Sequence, residues 1–303
     1  MVAIGLDVGG TKMAGGLVDL ASGQVLKKKV IATLPKRGGL AVLRDALDLA
    51  GELKAHGVTL GLTVASIGVG VAELVDPKGN VTSSQTIEWR GIPVQSEFSA
   101  LAPSAVESDV RAAALAEAWF GAGRPFKIFA YVTVGTGISH SLVIDGVPYA
   151  GSRGNALVMA SGPWTSVCPE CRLQFQTVLE EVASGPAVLA FYEKDQPGRA
   201  HRTEDVIEAA EAGDPVACRV VEAAGAALGS GLGFLINVLD PEAVVVGGGL
   251  GMAGGLYWRT LVDSARRHTW SETSRNLPIL QAGLGTEAGV IGAALAGASK
   301  QAG

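Results

Sequence analysis

Residues 1–6 form an apolar, strand-like run, the pattern breaks at Asp7-Val8-Gly9-Gly10-Thr11-Lys12, and a strand-like apolar stretch resumes over 13–19. Strand-like stretches on both sides of a Gly-Gly pair predict two strands joined by a hairpin. The glycines supply φ > 0 and leave no Cβ to obstruct a ligand. The same design recurs at Val132-Thr133-Val134-Gly135-Thr136-Gly137-Ile138, where a second strand follows over 139–144. A β-branched run at 243–246 ends in Gly247-Gly248-Gly249-Leu250.

Strands are also expected at 25–33, 62–68, 105–107 and 127–134. Helical spacing marks 39–56, with Leu43, Ala46, Leu47 and Leu49 apolar, and the segments 93–101, 109–120, 179–184, 205–212, 215–238 and 287–298. Asp76-Pro77-Lys78-Gly79-Asn80 has the composition of a turn, and Asp240-Pro241 a stop.

At 303 residues with 48% apolar content, the chain suffices for one large domain or two ordinary ones. A net charge of -5 and the lack of a long basic run argue against nucleic acid as a partner. No leader and no uninterrupted apolar span are read, the nearest being the Ala/Gly-rich stretch 223–239, so the expectation is a cytoplasmic protein away from membranes. Three cysteines do not make a disulfide framework.

Asp7 at the end of the first strand could hold a hydrated Mg²⁺, while Thr11 and Lys12 could hydrogen-bond a phosphate. With the turns at 135–137 and 247–249, this makes two phosphate hairpins and an adenosine shelf. The chain here resembles the ROK family of sugar kinases within the actin-like ATPase superfamily. The resemblance rests on DVGGTK at 7–12, VDPKGNV at 75–81, AAALAEAWFGAG at 112–123, TVGTGI at 133–138, VVVGGGL at 244–250 and LGTEAGVIGAA at 284–294.

That resemblance implies an α/β, two-lobed actin-like (ribonuclease H-like) fold, with duplicated βββαβα units around a cleft that closes to exclude water. The first lobe would comprise 1–120 completed by 287–303, the second 121–286, and 121–125 would be the hinge. It implies a homodimer, ATP and Mg²⁺ as cofactors, and nucleotide contacts at Asp7, Gly9, Gly10, Thr11, Lys12, Gly135, Thr136, Gly137, Gly247, Gly248 and Gly249. A winged-helix module like that of the family's repressors is not expected ahead of the first hairpin. Asp109 matches the aspartate that accepts the proton of the attacking hydroxyl, and its place in the first turn of a helix should keep it ionised.

The acceptor pocket departs from the family. Ser108 and Arg111 replace asparagines flanking the aspartate, Ala72-Glu73 replaces Pro-Gly, and Ser84-Gln85 replaces Pro-Asn, with Trp89 retained. Val158-Met159-Ala160-Ser161 stands where the family grips ring hydroxyls with Glu-x-Gly-His, and Glu180 matches the remaining carboxylate. Glu73, Gln85, Ser108, Asp109, Val158, Ser161 and Glu180 are therefore the candidate substrate residues. A site stripped of hydroxyl partners discriminates less for ordinary hexoses, so a carbocyclic C7 cyclitol or an unusual aminosugar is favoured. A glucokinase-type enzyme and a pseudokinase that senses a ligand or supports a partner are the alternatives. In the pseudokinase reading, Ser139-His140-Ser141 narrows the phosphate approach. Family zinc positions fall on Ser161, Cys171, Leu173 and Val178, so no zinc is expected, and Cys168 and Cys171 are read as reduced thiols in a degenerate loop.

Overall fold

The computed structural model describes residues 1–299. In chain order the elements are β1 (Val2–Val8), β2 (Lys12–Asp19), β3 (Val25–Ala32), α1 (Gly39–Thr59), β4 (Val64–Val71), α2 (Val94–Ser99), β5 (Ser104–Ser108) and α3 (Asp109–Phe120). There follow β6 (Ile128–Val134), β7 (Ile138–Ile144), β8 (Val147–Pro148), β9 (Pro163–Val167), β10 (Gln174–Val178), α4 (Glu180–Ala183), α5 (Gly185–Asp195), α6 (Thr203–Glu211) and α7 (Pro215–Leu239). The last are β11 (Ala243–Gly247), α8 (Gly255–His268), α9 (Glu272–Arg275), β12 (Ile279–Gln281) and α10 (Ala288–Ser299).

The chain forms two compact units, one of Met1–Lys127, Ser141–Ala156 and Gly283 onward, the other of Ile128–His140 and Leu157–Ala282. The expected division at 120/121 and 286/287 differs from this at 121–127, 141–156 and 283–286. Residues 300–303 of the expected C-terminal segment lie outside the described residues.

The first unit is built on the sheet β3-β2-β1-β4-β5, with the hairpin strands antiparallel and β1, β4 and β5 parallel. Its core joins Ile4, Leu6, Leu17, Ile67 and Val69 to Leu49 and Leu53 of α1. Alternation on β2 shows the two layers: Gly15 meets Leu49 and Leu53, whereas Gly16 meets Val290 of α10. α10 lies on the sheet backbone itself. A Cβ at Gly68 would stand 1.6 Å from the Ala293 carbonyl oxygen. Gly68→Ala is therefore expected to destabilise the protein by roughly 3 kcal/mol, lowering Tm by about 6 °C or more. In contrast, Gly51→Ala, on α1 with nothing within 4 Å, should leave Tm unchanged or raise it. Thermal denaturation of the two variants checks the contrast.

The second sheet has the order β12-β11-β6-β7-β8, with β12, β11 and β6 parallel. Read from the corresponding end the first is β5-β4-β1-β2-β3, so the same order occurs twice, as expected of a duplicated fold. β7 crosses the division between units at His140 and pairs with β8 beyond it. The core of the second unit gathers Val132, Val134, Val244 and Val246 against Leu228, Leu232 and Ile236 of α7, with Tyr257 and Leu261 of α8. By length and composition α7 is long and apolar enough to cross a bilayer. The sequence assigned its glycines to packing on a sheet, but their partner is a helix. A Cβ at Gly229 would lie 2.3 Å from the Leu261 carbonyl oxygen, and Gly225 and Gly233 likewise face α8.

Candidate active site

Three parallel strands of the first unit end together. Their register sets Asp7 opposite Gly70, Gly70 opposite Glu107, and Val71 opposite Ser108. Asp7, the turn at Ala72-Glu73 and the Ser108-Asp109 step thus share one sheet edge, and carboxyl ends of parallel strands are where open α/β sheets place ligands.

Asp109 opens α3, and its Oδ1 accepts the Val110 N–H at 2.7 Å. Burial pushes its carboxyl up to about 7, and the Asp7 carboxylate and, more weakly, Glu73 add to the rise. The Val110 N–H and the Arg111 guanidinium oppose it. The expectation that the helix start keeps Asp109 ionised is corrected: desolvation outweighs it, and the group titrates near neutrality, where a general base combines availability with basicity. Activity that needs ionised Asp109 should fall about tenfold per pH unit well below 7. A pH profile of kcat/KM checks this, and a flat profile down to pH 5.5 would contradict it.

Asp7 is also raised by burial, against the pull of Lys12 and then Lys28. Gly289 leaves room for its carboxylate, since a Cβ there would stand 2.4 Å from Oδ2. Among the described residues no group of three or more His, Cys, Asp or Glu is arranged to hold a metal ion. Asp7 still fits Mg²⁺, which keeps several waters and takes one or two protein carboxylates beside phosphate oxygens.

The β1–β2 hairpin is closed by the Gly9 N–H on the Lys12 carbonyl at 3.1 Å, and Thr33 Oγ1 donates to the Gly9 carbonyl at 2.7 Å. Thr11 and Lys12 are exposed at its tip. A Cβ at Gly10 would stand 2.5 Å from Thr86, so this hairpin lies against the 84–86 loop.

That contact explains Glu73, which was expected to touch substrate. Its Oε1 accepts Thr86 N–H at 2.5 Å and Ile87 N–H at 2.7 Å; its Oε2 accepts Gln85 N–H at 3.0 Å and the Ser83 hydroxyl. Four donors fill both oxygens, so the buried Glu73 carboxylate organises the loop against which the hairpin rests. Gln85 is exposed on that loop. Ser108 is buried, and its hydroxyl has no protein partner.

In the second unit, β6 and β11 are parallel neighbours with Thr133 opposite Gly247, so both remaining glycine turns leave the same sheet edge. Gly248 has φ +82°, and a Cβ on it would stand 2.3 Å from the Val134 carbonyl oxygen, which also accepts the Leu250 N–H at 3.0 Å. Nothing lies within 4 Å of a Cβ built at Gly135 or Gly249. The Gly135 N–H is donated to the Gly137 carbonyl at 2.9 Å within its own turn, and glycines without a side chain in front let phosphate and ribose approach the backbone closely. Thr136 is exposed between Gly135 and Gly137.

Glu180 belongs to this turn. Its Oε2 accepts the Ile138 N–H at 2.7 Å, and a Cβ at Gly137 would lie 2.7 Å from that oxygen. Val158 is half exposed and Ser161 exposed; the Glu180 N–H on the Ala160 carbonyl, at 3.1 Å, is what links their segment to Glu180. His140 is buried on β7 with both ring nitrogens unpartnered, and burial pushes it down to about 4. The imidazole is therefore neutral at pH 7.

The loop read as degenerate is an ordered, exposed hairpin, with β9 and β10 antiparallel and Trp164 edge-on to Phe234 at 4.8 Å. At its tip Cys168 N–H donates to Leu173 and Arg172 N–H to Cys168, both at 2.9 Å. Hydrogen bonds from the Cys171 backbone, the Cys171 side chain and the Glu170 backbone hold the Cys168 thiol below its ordinary range.

Sequence reading gave no role to Glu107 or Glu117. Glu107 ion-pairs Arg111 at 2.5 Å, a partnership that i,i+4 spacing could have flagged. Glu117 is fully buried. Its carboxylate accepts Ala122 N–H at 2.8 Å with Gly283 and Leu284 N–H at 2.9 Å, joining the segment after α3 to the one at which the chain re-enters the first unit for the last time.

Sequence comparison matches residues 3–298 to the ROK family. The chain belongs to this family. A glucokinase from Streptomyces coelicolor is 30% identical over 316 residues, covering 97% of this chain and 96% of that protein. Among solved structures, a ROK family glucokinase from Streptomyces griseus in complex with glucose and AMPPNP superposes with a TM-score of 0.83 at 30% identity, covering 98% of this chain and 99% of that one. The ROK hexokinase from Thermus thermophilus gives 0.80 at 31% identity, covering 100% and 99%. The mixed α/β architecture is accordingly that of ROK sugar kinases, an actin-like ATPase fold.

Proposed function

We propose that this ROK protein transfers a phosphoryl group from ATP to a hydroxyl of a sugar-like polyol, with Asp109 as general base, and that its preferred acceptor is a C7 cyclitol or unusual aminosugar rather than a common hexose. It is an ATP-dependent sugar kinase in the broad sense, as its glucokinase and hexokinase relatives indicate. The observation that carries the catalytic reading is Asp109 itself. One oxygen is held by Val110, and burial and Asp7 bring the carboxyl to about 7. A loose phosphoryl transition state asks for a positioned hydroxyl and a modest base rather than a strong one.

Asp7 would hold Mg²⁺, whose chemistry is to neutralise charge on the phosphates. Thr11 and Lys12 would meet phosphate oxygens, while the glycine turns Gly135-Thr136-Gly137 and Gly247-Gly248-Gly249 would let the nucleotide approach the backbone closely. The orphaned Ser108 hydroxyl, buried beside Asp109, would find its partner in the acceptor. A homodimer belongs to the same reading.

Glucokinase-type activity is the second reading, favoured by relatives whose names specify glucose. What separates the two is Val158 and Ser161, which offer hexose hydroxyls neither carboxylate nor imidazole. A coupled ADP-release screen across hexoses, aminosugars and cyclitols decides between them. Preferred turnover of a cyclitol or rare aminosugar is expected; preferred turnover of glucose would establish the second reading, and no turnover of any acceptor would favour a pseudokinase.

A further inference from the structure

Arg111 carries a buried guanidinium two residues beyond Asp109. Its Nε donates to Glu107 Oε1 at 2.7 Å, Nη1 to the Gly154 carbonyl at 2.8 Å, and Nη2 to the Val75 carbonyl at 2.6 Å. Glu107 Oε1 also accepts the Ser108 N–H at 2.8 Å, so the end of β5, the first turn of α3 and two loops meet at one cation.

Those two loops are in direct backbone contact. A Cβ at Gly154 would stand 1.9 Å from the Val75 carbonyl oxygen. The 75–81 loop is internally rigid: Val75 bridges Val81, and Asp76 Oδ1 accepts the N–H groups of Lys78 at 2.8 Å and Asn80 at 2.9 Å. The 151–156 segment forms no regular element. A planar five-donor fork can serve a carboxylate and two carbonyls at once, which a lysine ammonium cannot do with the same spread.

We propose that Arg111, oriented by Glu107, is a positioning residue that fixes the 75–81 and 151–156 loops beside Asp109 and thereby sets the fit of the acceptor. The inference rests on Asp109 being the base of the proposed reaction. Arg111 is the cation that pulls the Asp109 carboxyl down, against burial, Asp7 and Glu73, which push it up. Removing the guanidinium therefore removes a restraint on the loops and leaves the base harder to ionise.

The test compares the intact protein with Arg111→Gln, Arg111→Lys and Glu107→Gln by three readouts. Amide hydrogen exchange follows the two loops, a carboxyl-carbon NMR titration follows Asp109, and steady-state kinetics follow KM for acceptor and for ATP. In Arg111→Gln the expected results are at least about tenfold faster exchange in both loops and an Asp109 midpoint moved to higher pH. KM for the acceptor should rise about tenfold with KM for ATP within about twofold. Arg111→Lys should retain much of the midpoint through its charge yet still release the loops, and Glu107→Gln should do the same more weakly. A purely structural arginine would change Tm alone. Exchange and midpoint at wild-type values in folded Arg111→Gln would overturn the proposal. Should that variant not fold, wild-type loop exchange in Arg111→Lys would overturn it equally. Exchange and titration need no acceptor, so a protein that transfers no phosphate would defeat the kinase reading while these readouts still judge Arg111.

Discussion

Asp109→Asn is expected to lower phosphoryl transfer by about a thousandfold or more while ATP still binds, because general acid–base catalysis contributes roughly 10²–10⁴ and the amide cannot take the hydroxyl proton. The same substitution should make the protein more stable at neutral and higher pH. Folded Asp109 titrates near 7, whereas an unfolded aspartate titrates near the ordinary 3.8. The native state therefore holds the proton more tightly, and stability lost to this carboxylate grows as pH rises from about 3.8 to about 7, then stays constant. At pH 4 mutant and parent should melt alike. At pH 8 the asparagine variant should be favoured by roughly 2–4 kcal/mol, since its amide oxygen can still accept the Val110 N–H without carrying a buried charge. Calorimetry at the two pH values, beside turnover and nucleotide titration, checks the set. Parental turnover in the variant would remove Asp109 from catalysis, and a pH-independent stability difference would show that its carboxyl is not raised by burial.

Hexose phosphorylation should be poor, and restorable. Each missing hydrogen bond to a charged group is worth roughly 1.5–3 kcal/mol, so the absence of two at Val158 and Ser161 should lower hexose kcat/KM by about two to four orders of magnitude against a glucokinase that has both. Val158→Glu with Ser161→His should raise hexose turnover by at least about tenfold, while weakening an acceptor that is apolar at that end. The exposure of both side chains means that neither substitution has to displace a packed neighbour. Glu73 is removed as a rival explanation. Its oxygens are filled by the 83–87 loop, so Glu73→Gly would loosen the phosphate hairpin rather than empty a sugar contact. Efficient glucose turnover by the unaltered protein would refute the specificity argument.

Where local pattern and chemistry coincide, the sequence was legible. The apolar stretches around Gly9-Gly10 located β1 and β2, although neither glycine adopts the positive φ expected of it, and a helix was read over 109–120 where α3 is found. The strand read at 62–68 lies at Val64–Val71, because the apolar run begins before the ladder does. α8 was not read although its buried Tyr257, Leu261 and Ala265 recur at helical spacing, and the hairpin of β9 and β10 was hidden by attention to its cysteines. The roles of Glu73, Glu117 and Arg111 were illegible for a different reason. Each serves backbone groups distant in sequence, and nothing in local spacing announces which amides or carbonyls a buried charge will meet. Asp109 shows the same limit in electrostatics: its helix-start position is local and visible, whereas the burial and the Asp7 carboxylate that set its titration come from tertiary structure.

The most direct measurement of the central claim is a single-turnover experiment with ATP labelled in its γ-phosphate and the best acceptor from the ADP-release screen, run on the parent and on Asp109→Asn at pH 8. In the parent the label should appear on an acceptor hydroxyl, with little released as free phosphate. In the variant it should remain on ATP over the same interval although the nucleotide is bound. Label passing to the acceptor at equal rates in both proteins, or passing in both only to water, would contradict the account.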